Sequence, residues 1–573
     1  MLPEKFTIEN DFPPVTYDQW RALAEADLNG ATIEQKLVTH TYDGVDIQPV
    51  YIRHDELARS NMLGLPGEPP FVRGSNASGA VQSGWDLRQE HAHPDLAVTN
   101  GAILEDLEGG ATSVTLRFDA AARSGLDPDA PSAAGLVARD GVTAYSVKDL
   151  DVVFREVELP LIGVALDAGA AFMPVAAMLV ALWRNRGLKR DRARAAFNAD
   201  PLAVLACEGY LPVSTIVALK LLGDLAMWTS KTYSHVTAVG VDTSVYHHAG
   251  ATVAQDIGFA IATGVEYLRA MTANGLGIDA AARQIAFKIR VGTHHFQAIA
   301  KLRAARWLWS RVIEAAGGSP AAGGMHINAG TSQRVLTQRD PYVNLLRNTV
   351  AVFAAGIAGA DSITSVPFDT MLGPSDAFSR RIARNTALIL QEESHLHRVI
   401  DSAGGSWFLD RLTQQIAEKG WEVFQQAERQ GGMLQALTSG WVSAQIDTVA
   451  AVRSKDFASG SKGLVGVNKF PDPNEKPLIS SQLDFDSLRK TAASRLAKIR
   501  RESASLELLK NATPNNRMSA VIEAAMNDAS IGQMAHALGF HTESVKIPPL
   551  KLRRLAEPFE QQFISQADTQ PAK

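Results

Sequence analysis

"HVTAVGVDTSVYHHAGATVAQDIGFAIATGVEYLRAM", residues 235–271, contains the unit from which the fold is built. Its first seven residues alternate β-branched and small apolar side chains, a pattern that predicts a strand. Residues 252–271 are apolar at helical spacing and predict a long helix. A strand followed by a helix is the repeating unit of a parallel sheet.

The same pattern recurs between about residues 100 and 435. It predicts strands at 112–118, 161–166, 235–241, 287–292, 324–330 and 361–366, and helices at 252–271, 296–316, 344–358 and 378–396. Strands alternating with helices over this length favour an α/β fold of the (β/α)8 TIM-barrel type. Such barrels keep their ligand chemistry at the C-terminal ends of the strands.

The barrel divides the chain into three predicted regions. Residues 1–85 form an N-terminal arm, with a helix over 17–30 and a hairpin turn at Asp43-Gly44. Residues 86–435 form the barrel. Residues 436–573 form a linker rich in Gly, Ser, Lys and Pro, then a helical C-terminal extension with charged helices over 486–510 and 517–538 and a frayed polar tail.

Composition excludes several classes of protein. The 573 residues carry a net charge of −5 with a pI near 6.3, which does not favour a nucleic-acid partner. The apolar stretch 159–183 is interrupted at Asp167, Gly169 and Pro174, so it predicts a buried strand running into a helix and no membrane span. The acidic N-terminus lacks a secretory signal. The single cysteine, Cys207, lies in an apolar stretch and is predicted to be an inert packed thiol of a cytoplasmic protein.

Two polar clusters are candidates for a site. Residues Glu90, His91, His93 and Asp95 could ligate a metal on an extended backbone, or form a hydrogen-bonded structural cluster. The second cluster, Tyr246-His247-His248, directly follows a predicted strand, where a Tyr-His pair could orient a carbonyl substrate or act as a general acid.

Two further clusters are weaker candidates for a functional site. The pair His294-His295 follows the strand predicted at 287–292. The group Glu392, Glu393, His395 and His397 lies at a predicted helix end, where such side chains more often cap and solvate the terminus. The residues alone therefore indicate a barrel with an ambiguous site.

Six longer motifs together resemble the methylmalonyl-CoA mutase family. They follow that family's order and spacing, and the resemblance runs from about residue 10 to 560; the motifs lie at 69–89, 249–269, 300–309, 331–349, 368–394 and 401–410. The resemblance implies a substrate-binding (β/α)8 barrel with CoA along its axis. It also implies a separate C-terminal domain holding adenosylcobalamin, and a radical carbon-skeleton rearrangement.

In the first motif some residues match the family's catalytic chains, but those that would bind CoA and the acyl group are replaced. Arg73, Trp85, Arg88 and Gln89 match the family's catalytic chains. A gripping arginine of those chains is Ser83 here, which cannot supply a donor fork for phosphate or carboxylate. The tyrosine that touches the acyl group is Glu90; the remaining CoA-gripping positions are Asn76, Ser78, Gly79 and Gln82.

Other substrate-contacting positions have also changed. The arginine that pairs with the substrate carboxylate is Glu208, and in a dry pocket this reversal turns attraction into repulsion. Alignment without gaps places Ser244 and Val245, not Tyr246-His247, opposite the catalytic Tyr-His pair. The remaining changed positions are Asn198, Gln284 and Ala286. This pattern resembles the family's small (β) subunit, whose barrel keeps the fold without the activity.

The family's D-x-H-x-x-G cobalt-ligand motif is not found, which predicts that the flavodoxin-like cobalamin-binding domain is absent. We therefore expect no catalytic, cofactor-binding or metal-binding residue on this chain. The resemblance implies a heterodimer whose large subunit binds acyl-CoA and adenosylcobalamin and interconverts methylmalonyl-CoA and succinyl-CoA.

Two alternatives remain open at this point. The chain could be the substrate barrel of a split acyl-CoA mutase whose cobalamin domain is a separate chain. It could also be a metal-dependent barrel hydrolase that uses the cluster at residues 90–95.

Overall fold

An N-terminal arm opens the computed structural model, which describes residues 15–560 except 53–62, 473, 477, 479–481, 503 and 542–544. The predicted arm helix is confirmed as α1 (Tyr17–Asp27), and a one-turn helix, α2 (Ile33–Lys36), follows it. The predicted hairpin is confirmed by the antiparallel strands β1 (Thr39–His40) and β2 (Asp46–Ile47), which flank Asp43-Gly44. The N-terminal residues on which the absence of a secretory signal was predicted, and the predicted polar tail, lie largely outside the described residues.

The predicted barrel is confirmed. Eight parallel strands close in the order β10-β3-β4-β5-β6-β7-β8-β9. All six strands predicted from the sequence are present. The eight are β3 (Asp86–His91), β4 (Ser113–Arg117), β5 (Gly163–Asp167), β6 (Ala195–Ala199), β7 (Val236–Asp242), β8 (Ile285–Val291), β9 (His326–Thr331) and β10 (Ser362–Thr364).

The two strands not predicted, β3 and β6, lack the usual apolar pattern. Strand β3 is polar at five of its six positions, in the sequence DLRQEH, because it places charged side chains inside the barrel. Strand β6 is a five-residue stretch dominated by alanine, AAFNA, with little β-propensity. Both are recruited by pairing with their neighbours in the barrel.

Helices surround the barrel. The helices between residues 96 and 388 are α3 (Leu96–Glu108), α4 (Ala120–Arg123), α5 (Val147–Val153), α6 (Phe172–Asn185), α7 (Pro201–Glu208), α8 (Thr215–Thr232), α9 (Ser244–Ala249), α10 (Val253–Ala273), α11 (Ile278–Arg283), α12 (His295–Ala315), α13 (Val343–Ile357) and α14 (Ala377–Leu388). The later helices are α15 (Trp407–Arg429), α16 (Met433–Thr438), α17 (Trp441–Ala458), α18 (Phe485–Ile499), α19 (Ala504–Lys510), α20 (Arg517–Met526) and α21 (Ile531–Ala537).

The apolar stretch 159–183 is a strand running into a helix, as predicted: β5 is followed by α6. Every residue of α6 from Phe172 to Trp183 is buried, because α20 packs over its outer side. The helix is apolar all round since it lies between the barrel and the C-terminal helices. Within the described ranges, no helix combines the length and hydropathy needed to cross a membrane.

Each of the two charged C-terminal helices predicted from the sequence is in fact two helices. The first breaks between α18 and α19, where Arg500 has left the helix and its guanidinium lies 2.9 Å from Asp129. The second breaks between α20 and α21 at Asp528, which has a left-handed φ of 63°. Ser530 then caps α21, and its hydroxyl donates to Asp127. Contacts with the barrel loops thus override helical continuity.

Three of the six motifs that carry the family resemblance lie in α10, in α12 and at the start of α15, which pack against one another. A Cβ at Gly258 would lie 2.7 Å from the Cβ of Val423, and one at Gly420 would lie 2.6 Å from the Ile257 side chain. Only glycine allows α10 and α15 to approach this closely. Arg303 of α12 is fully buried and pairs with Asp401 and with Asp410, which tether the start of α15.

We predict that Gly258→Ala lowers the free energy of unfolding by ~1–3 kcal/mol, because the added methyl overpacks the α10–α15 contact. The matched control is Gly101→Ala, also inside a helix, where nothing lies within 4 Å of the new Cβ. There alanine should raise stability by ~0.5–1 kcal/mol through helix propensity. Urea unfolding followed by circular dichroism measures both; equal shifts in the same direction would contradict the packing argument.

Candidate functional site

The candidate site is the mouth of the barrel at the C-terminal ends of the strands. A cavity of about 300 Å³ lies there, bounded by the strand ends and by α7 and α9. A second cavity of about 100 Å³ lies below it in the lumen of the barrel. The lumen cavity is smaller than the ~300–1,000 Å³ of pockets that bury a small-molecule ligand.

Small side chains line much of the lumen. Thr115, Ala165, Gly240, Gly330 and Thr364 come from five different strands. Most (β/α)8 barrels fill this space with bulky branched residues. Here charged side chains from β3, β5, β7 and β8 also project into the space, and most of them are paired because they lie away from bulk water.

Arg117 at the end of β4 forms the first group of ion pairs. Its guanidinium binds the carboxylate of Asp167 at the end of β5 and that of Asp140 in a neighbouring loop. Burial opposes ionisation of Asp167, but the positive charges of Arg117 and Lys288 outweigh it and hold the pKa of Asp167 well below its usual range. Asp167 therefore stays ionised and paired with Arg117.

Asp242 and Lys288 form the second ion pair. The Lys288 ammonium, on β8, lies 3.0 Å from the Asp242 carboxylate at the end of β7. Burial opposes ionisation of Asp242, but Lys288 and Arg290 together lower its pKa. The pair links two adjacent strands and faces both cavities.

Arg88 occupies the lower part of the lumen. Its guanidinium lies 2.8 Å from the carboxylate of Asp86 and donates to the hydroxyl of Ser113 at 2.9 Å. The pKa of Asp86 is lowered because Arg88 and the hydroxyls of Thr112 and Ser113 outweigh the effect of burial. The arginine matched to the family's catalytic chains is thus held inside the barrel by side chains of this chain.

The two residues at the end of α7 lie on the rim of the mouth cavity. The predicted repulsion assumed that Glu208 lies in a dry pocket, and this assumption is wrong. Glu208 is exposed, so water screens its carboxylate. The prediction that Cys207 is packed is also wrong, since it is exposed. Desolvation by the cavity wall, with the charge of Glu208, raises the pKa of the Cys207 thiol to about 11, so it is a poor nucleophile.

Some residues of helix α9 face the mouth cavity and others are buried behind it. Ser244, Val245 and His248 line the mouth cavity. His247 is buried, with Nδ1 3.2 Å from Asp256 and Nε2 2.8 Å from the Ser332 hydroxyl. Tyr246 is also buried, and burial raises its pKa above the usual range. The Tyr-His pair therefore serves packing, and the alignment without gaps agrees with the geometry.

The cluster at residues 90–95 is dispersed by strand alternation. Glu90 faces the lumen, whereas His91 points to the other side of β3, where burial lowers its pKa to about 3. Asp95 is the N-cap of α3 and accepts from the backbone N–H groups of Ala97 and Val98. Over the described ranges, no group of three His, Cys, Asp or Glu side chains is arranged to hold a metal ion.

The remaining histidine candidates lie away from both cavities. His295 stacks on Phe353 of α13, with ring centroids 4.9 Å apart. His395 has a left-handed φ of 53° in the loop after α14, and Glu392 and Glu393 beside it are exposed. None of these side chains borders the lumen or mouth cavity.

The segment matched to the CoA-gripping motif lies at the opposite end of the barrel. The Ser75 hydroxyl donates to the carbonyl of Met325, just before β9, and Asn76 lies 3.4 Å from Asp361, just before β10. Arg73 pairs with Asp401, and Trp85 is buried. The substituted positions are all exposed: Asn76, Ser78, Gly79, Gln82 and Ser83.

The ion pairs of Arg117 and Lys288 were not identified from the sequence. A signal existed, since Arg117, Asp167 and Asp242 each end a strand and Lys288 lies within a predicted one. Their mutual pairing depends on the register between strands, which the sequence does not display. Chemically, these two cations are neutralised by neighbouring carboxylates, whereas Arg290 in the same wall forms no ion pair within 4.0 Å with another described residue.

Comparison with known proteins identifies the family. The family model described as methylmalonyl-CoA mutase matches residues 40–543. A methylmalonyl-CoA mutase small subunit from Streptomyces virginiae is 40% identical over 83% of this chain and 74% of its own length. The small subunit from Propionibacterium freudenreichii subsp. shermanii is 35% identical over 82% of this chain and 71% of its own.

A protein named methylmalonyl-CoA mutase, from Cereibacter sphaeroides, is 31% identical over 92% of this chain and 76% of its own length. The resemblance drawn from the sequence motifs is therefore confirmed. The chain belongs to the methylmalonyl-CoA mutase family.

Proposed function

We propose that this chain is the small, non-catalytic subunit of an adenosylcobalamin-dependent methylmalonyl-CoA mutase. It would stabilise a large subunit that binds acyl-CoA and interconverts methylmalonyl-CoA and succinyl-CoA. The observation that carries this proposal is the lumen: side chains held by ion pairs and hydrogen bonds occupy it and leave about 100 Å³. Two relatives that are themselves named small subunits support the assignment.

Opening the lumen would require these pairs to separate. Arg117 and Asp167 are both largely withdrawn from solvent, and their partners lie in the same wall. Separating a partly buried ion pair is unfavourable, because each charge loses its partner. An acyl-CoA passing along the axis would have to displace the paired side chains of Arg88 and Lys288 in the lumen and of Arg117 at its mouth.

The carboxylate at the acyl end of such a ligand would also lack the arginine that would bind it. The position that resembles the family's carboxylate-binding arginine is Glu208, which lines the mouth cavity. Because Glu208 is exposed, its main effect is a missing attraction and only a screened repulsion. Loss of a bidentate arginine removes two charge-assisted hydrogen bonds.

The residues at the mouth do not fit adenosylcobalamin coordinated by a histidine of this chain. In the part of the chain that the structure describes, His248 is the histidine lining the mouth cavity, and its Nε2 is buried. An imidazole enclosed in the wall cannot reach a cobalt ion outside it. This supports placing the cofactor on the partner subunit.

An exposed apolar surface supports assembly with a partner. Tyr342, Leu346 and Val350 are spaced four residues apart at and along α13, so they share one face of the helix. Val399 and Ile389 lie in segments that pack beside α13 and α14 and are also exposed. Exposed apolar side chains grouped on one helix face are typical of protein–protein interfaces.

We predict that methylmalonyl-CoA titrated into the isolated chain gives no saturable heat, because the ion pairs close the lumen. Isothermal titration calorimetry measures this, with the assembled complex as the positive control. Saturable binding of methylmalonyl-CoA to the isolated chain would contradict the proposal. It would favour instead the split mutase, in which this barrel binds substrate and cobalamin resides on another chain.

We predict that Leu346→Glu weakens assembly with the large subunit at least tenfold, since it places a charge in an apolar interface. The control is Ile216→Glu on α8: both side chains are 67% exposed, but Ile216 lies outside the α13 surface. Analytical ultracentrifugation of the two variants mixed with the large subunit measures the dissociation constant. Equal effects, or none from Leu346→Glu, would place the interface elsewhere.

A further inference from the structure

The loop between α6 and β6 carries a concentration of positive charge. It lies at the N-terminal ends of the strands, on the face opposite the mouth. Residues 184–194 contain six cations and one acid, a net charge of +5 in a chain whose net charge is −5. All six cations are exposed: Arg184, Arg186, Lys189, Arg190, Arg192 and Arg194. Like charges on one short loop repel one another, and solubility is served as well by interspersed charges, so this concentration needs another explanation.

Most of these cations have no ionic partner within the chain. Arg186 is the exception, since its guanidinium lies 2.7 Å from the Asp151 carboxylate. No ion pair within 4.0 Å joins the other five to any residue that the structure describes, although Glu156, Glu158 and Asp191 lie in the same two loops. We call these five the basic surface: Arg184, Lys189, Arg190, Arg192 and Arg194.

The backbone that carries the basic surface is held in place. The N–H of Arg192 donates to the carbonyl of Lys189 at 3.0 Å, which forms a tight turn. The carbonyl of Arg194 accepts from the N–H of Val164 in β5 at 3.0 Å. A partner that bound here would therefore order side chains on a backbone already fixed, which lowers the entropic cost of binding.

The loop before β7 adds to this positive charge. It lies beside the basic surface, because β6 and β7 are neighbouring strands of the barrel. Lys231 near the end of α8 is exposed and has no ion pair within 4.0 Å among the described residues. Burial raises the pKa of Tyr233, the next residue but one, and the charges of Arg184 and Arg190 oppose that rise. Those two cations therefore lie close to the end of α8.

The loop before β5 supplies an apolar contact on the other side. Leu161 in this loop is 73% exposed. Strands β5 and β6 pair with Val164 opposite Ala195, so the residues that precede both strands meet at one edge of the barrel. A single exposed leucine needs no explanation by itself. Beside unpaired cations, it gives the surface one apolar contact among several charged ones.

We propose that the basic surface binds an acidic segment of another protein, and that Leu161 contacts an apolar residue of that segment. Guanidinium groups bind carboxylates through paired, charge-assisted hydrogen bonds. A single-stranded nucleic acid would require exposed aromatic side chains for base stacking, whereas Trp183 and Tyr233 beside this surface are buried. Membrane attachment would require a larger apolar face than one leucine.

This binding goes beyond the assembly role and does not depend on it. The apolar surface proposed for assembly lies on α13, which joins β9 to β10. In the closed barrel, β9 and β10 lie across from β5 and β6. The basic surface is therefore on another side of the molecule from the α13 surface.

The test measures binding of a fluorescent oligoglutamate peptide with one central leucine to the full chain by fluorescence anisotropy. We expect saturable binding that weakens as salt is added, because the charges are exposed and screened. The same peptide with a central serine should bind several-fold more weakly. Absence of saturable binding would overturn the proposal, as would tighter binding of a single-stranded oligonucleotide or of phosphatidylserine vesicles than of the leucine peptide.

Arg190→Glu combined with Arg192→Glu should weaken peptide binding at least tenfold. The control combines Lys36→Glu with Lys455→Glu, which changes the net charge equally at two exposed lysines of α2 and α17. Equal loss of affinity in the two chains would show that net charge alone decides binding and would overturn the proposal.

Leu161→Ser tests the apolar contact separately. It should weaken binding of the leucine peptide several-fold and leave binding of the serine peptide unchanged. If the doubly charge-reversed chain does not fold, Lys189→Gln combined with Arg192→Gln should still weaken binding several-fold. Unchanged affinity in these folded variants would overturn the proposal whatever the outcome with methylmalonyl-CoA.

Discussion

Ion pairs between neighbouring strands close the lumen of this barrel, and the arrangement at its mouth depends on them. The strands carry small side chains where most barrels carry bulky ones, so the interior would otherwise be open. Arg117 with Asp167 joins β4 to β5, and Lys288 with Asp242 joins β7 to β8. Charges brought into such a space must be paired, since an isolated buried charge is costly. The lumen is therefore filled by side chains that stabilise one another.

The positions that match the family and many of those that differ from it lie in different parts of the structure. Three of the six matching motifs lie in the contacts between α10, α12 and α15, where Gly258 and the buried Arg303 leave little freedom. Many of the altered positions lie in the exposed segment 76–83 and at Glu208 on the rim of the mouth, whereas Gln284 and Ala286 are buried. A chain can thus keep the fold of the family while the groups that would meet an acyl-CoA are replaced.

Much of the fold could be predicted from the sequence, because six strands and the long helices have clear periodicity. Strands β3 and β6 were missed because one is polar and the other is mainly alanine, and both are stabilised by their neighbours. The breaks between α18 and α19 and between α20 and α21 depend on ion pairs and caps made with distant loops. Local propensity cannot contain such information.

The site was less predictable than the fold. Placing Ser244 and Val245 at the mouth followed from the alignment, and the geometry agrees. The exposure of Cys207 and Glu208 was not foreseen, since an apolar sequence stretch does not show which face of α7 meets the cavity. The pairing of Arg117 and Lys288, and the lack of an ionic partner for Arg290, depend on strand register and appear only in three dimensions.

The most direct test of the closed lumen is a high-resolution structure of the assembled complex prepared with methylmalonyl-CoA. We predict ligand density along the barrel of the partner, and, in this chain, a lumen still occupied by the Arg117–Asp167 and Lys288–Asp242 pairs. Density for an acyl-CoA along the axis of this chain's own barrel, with those pairs separated, would contradict the account.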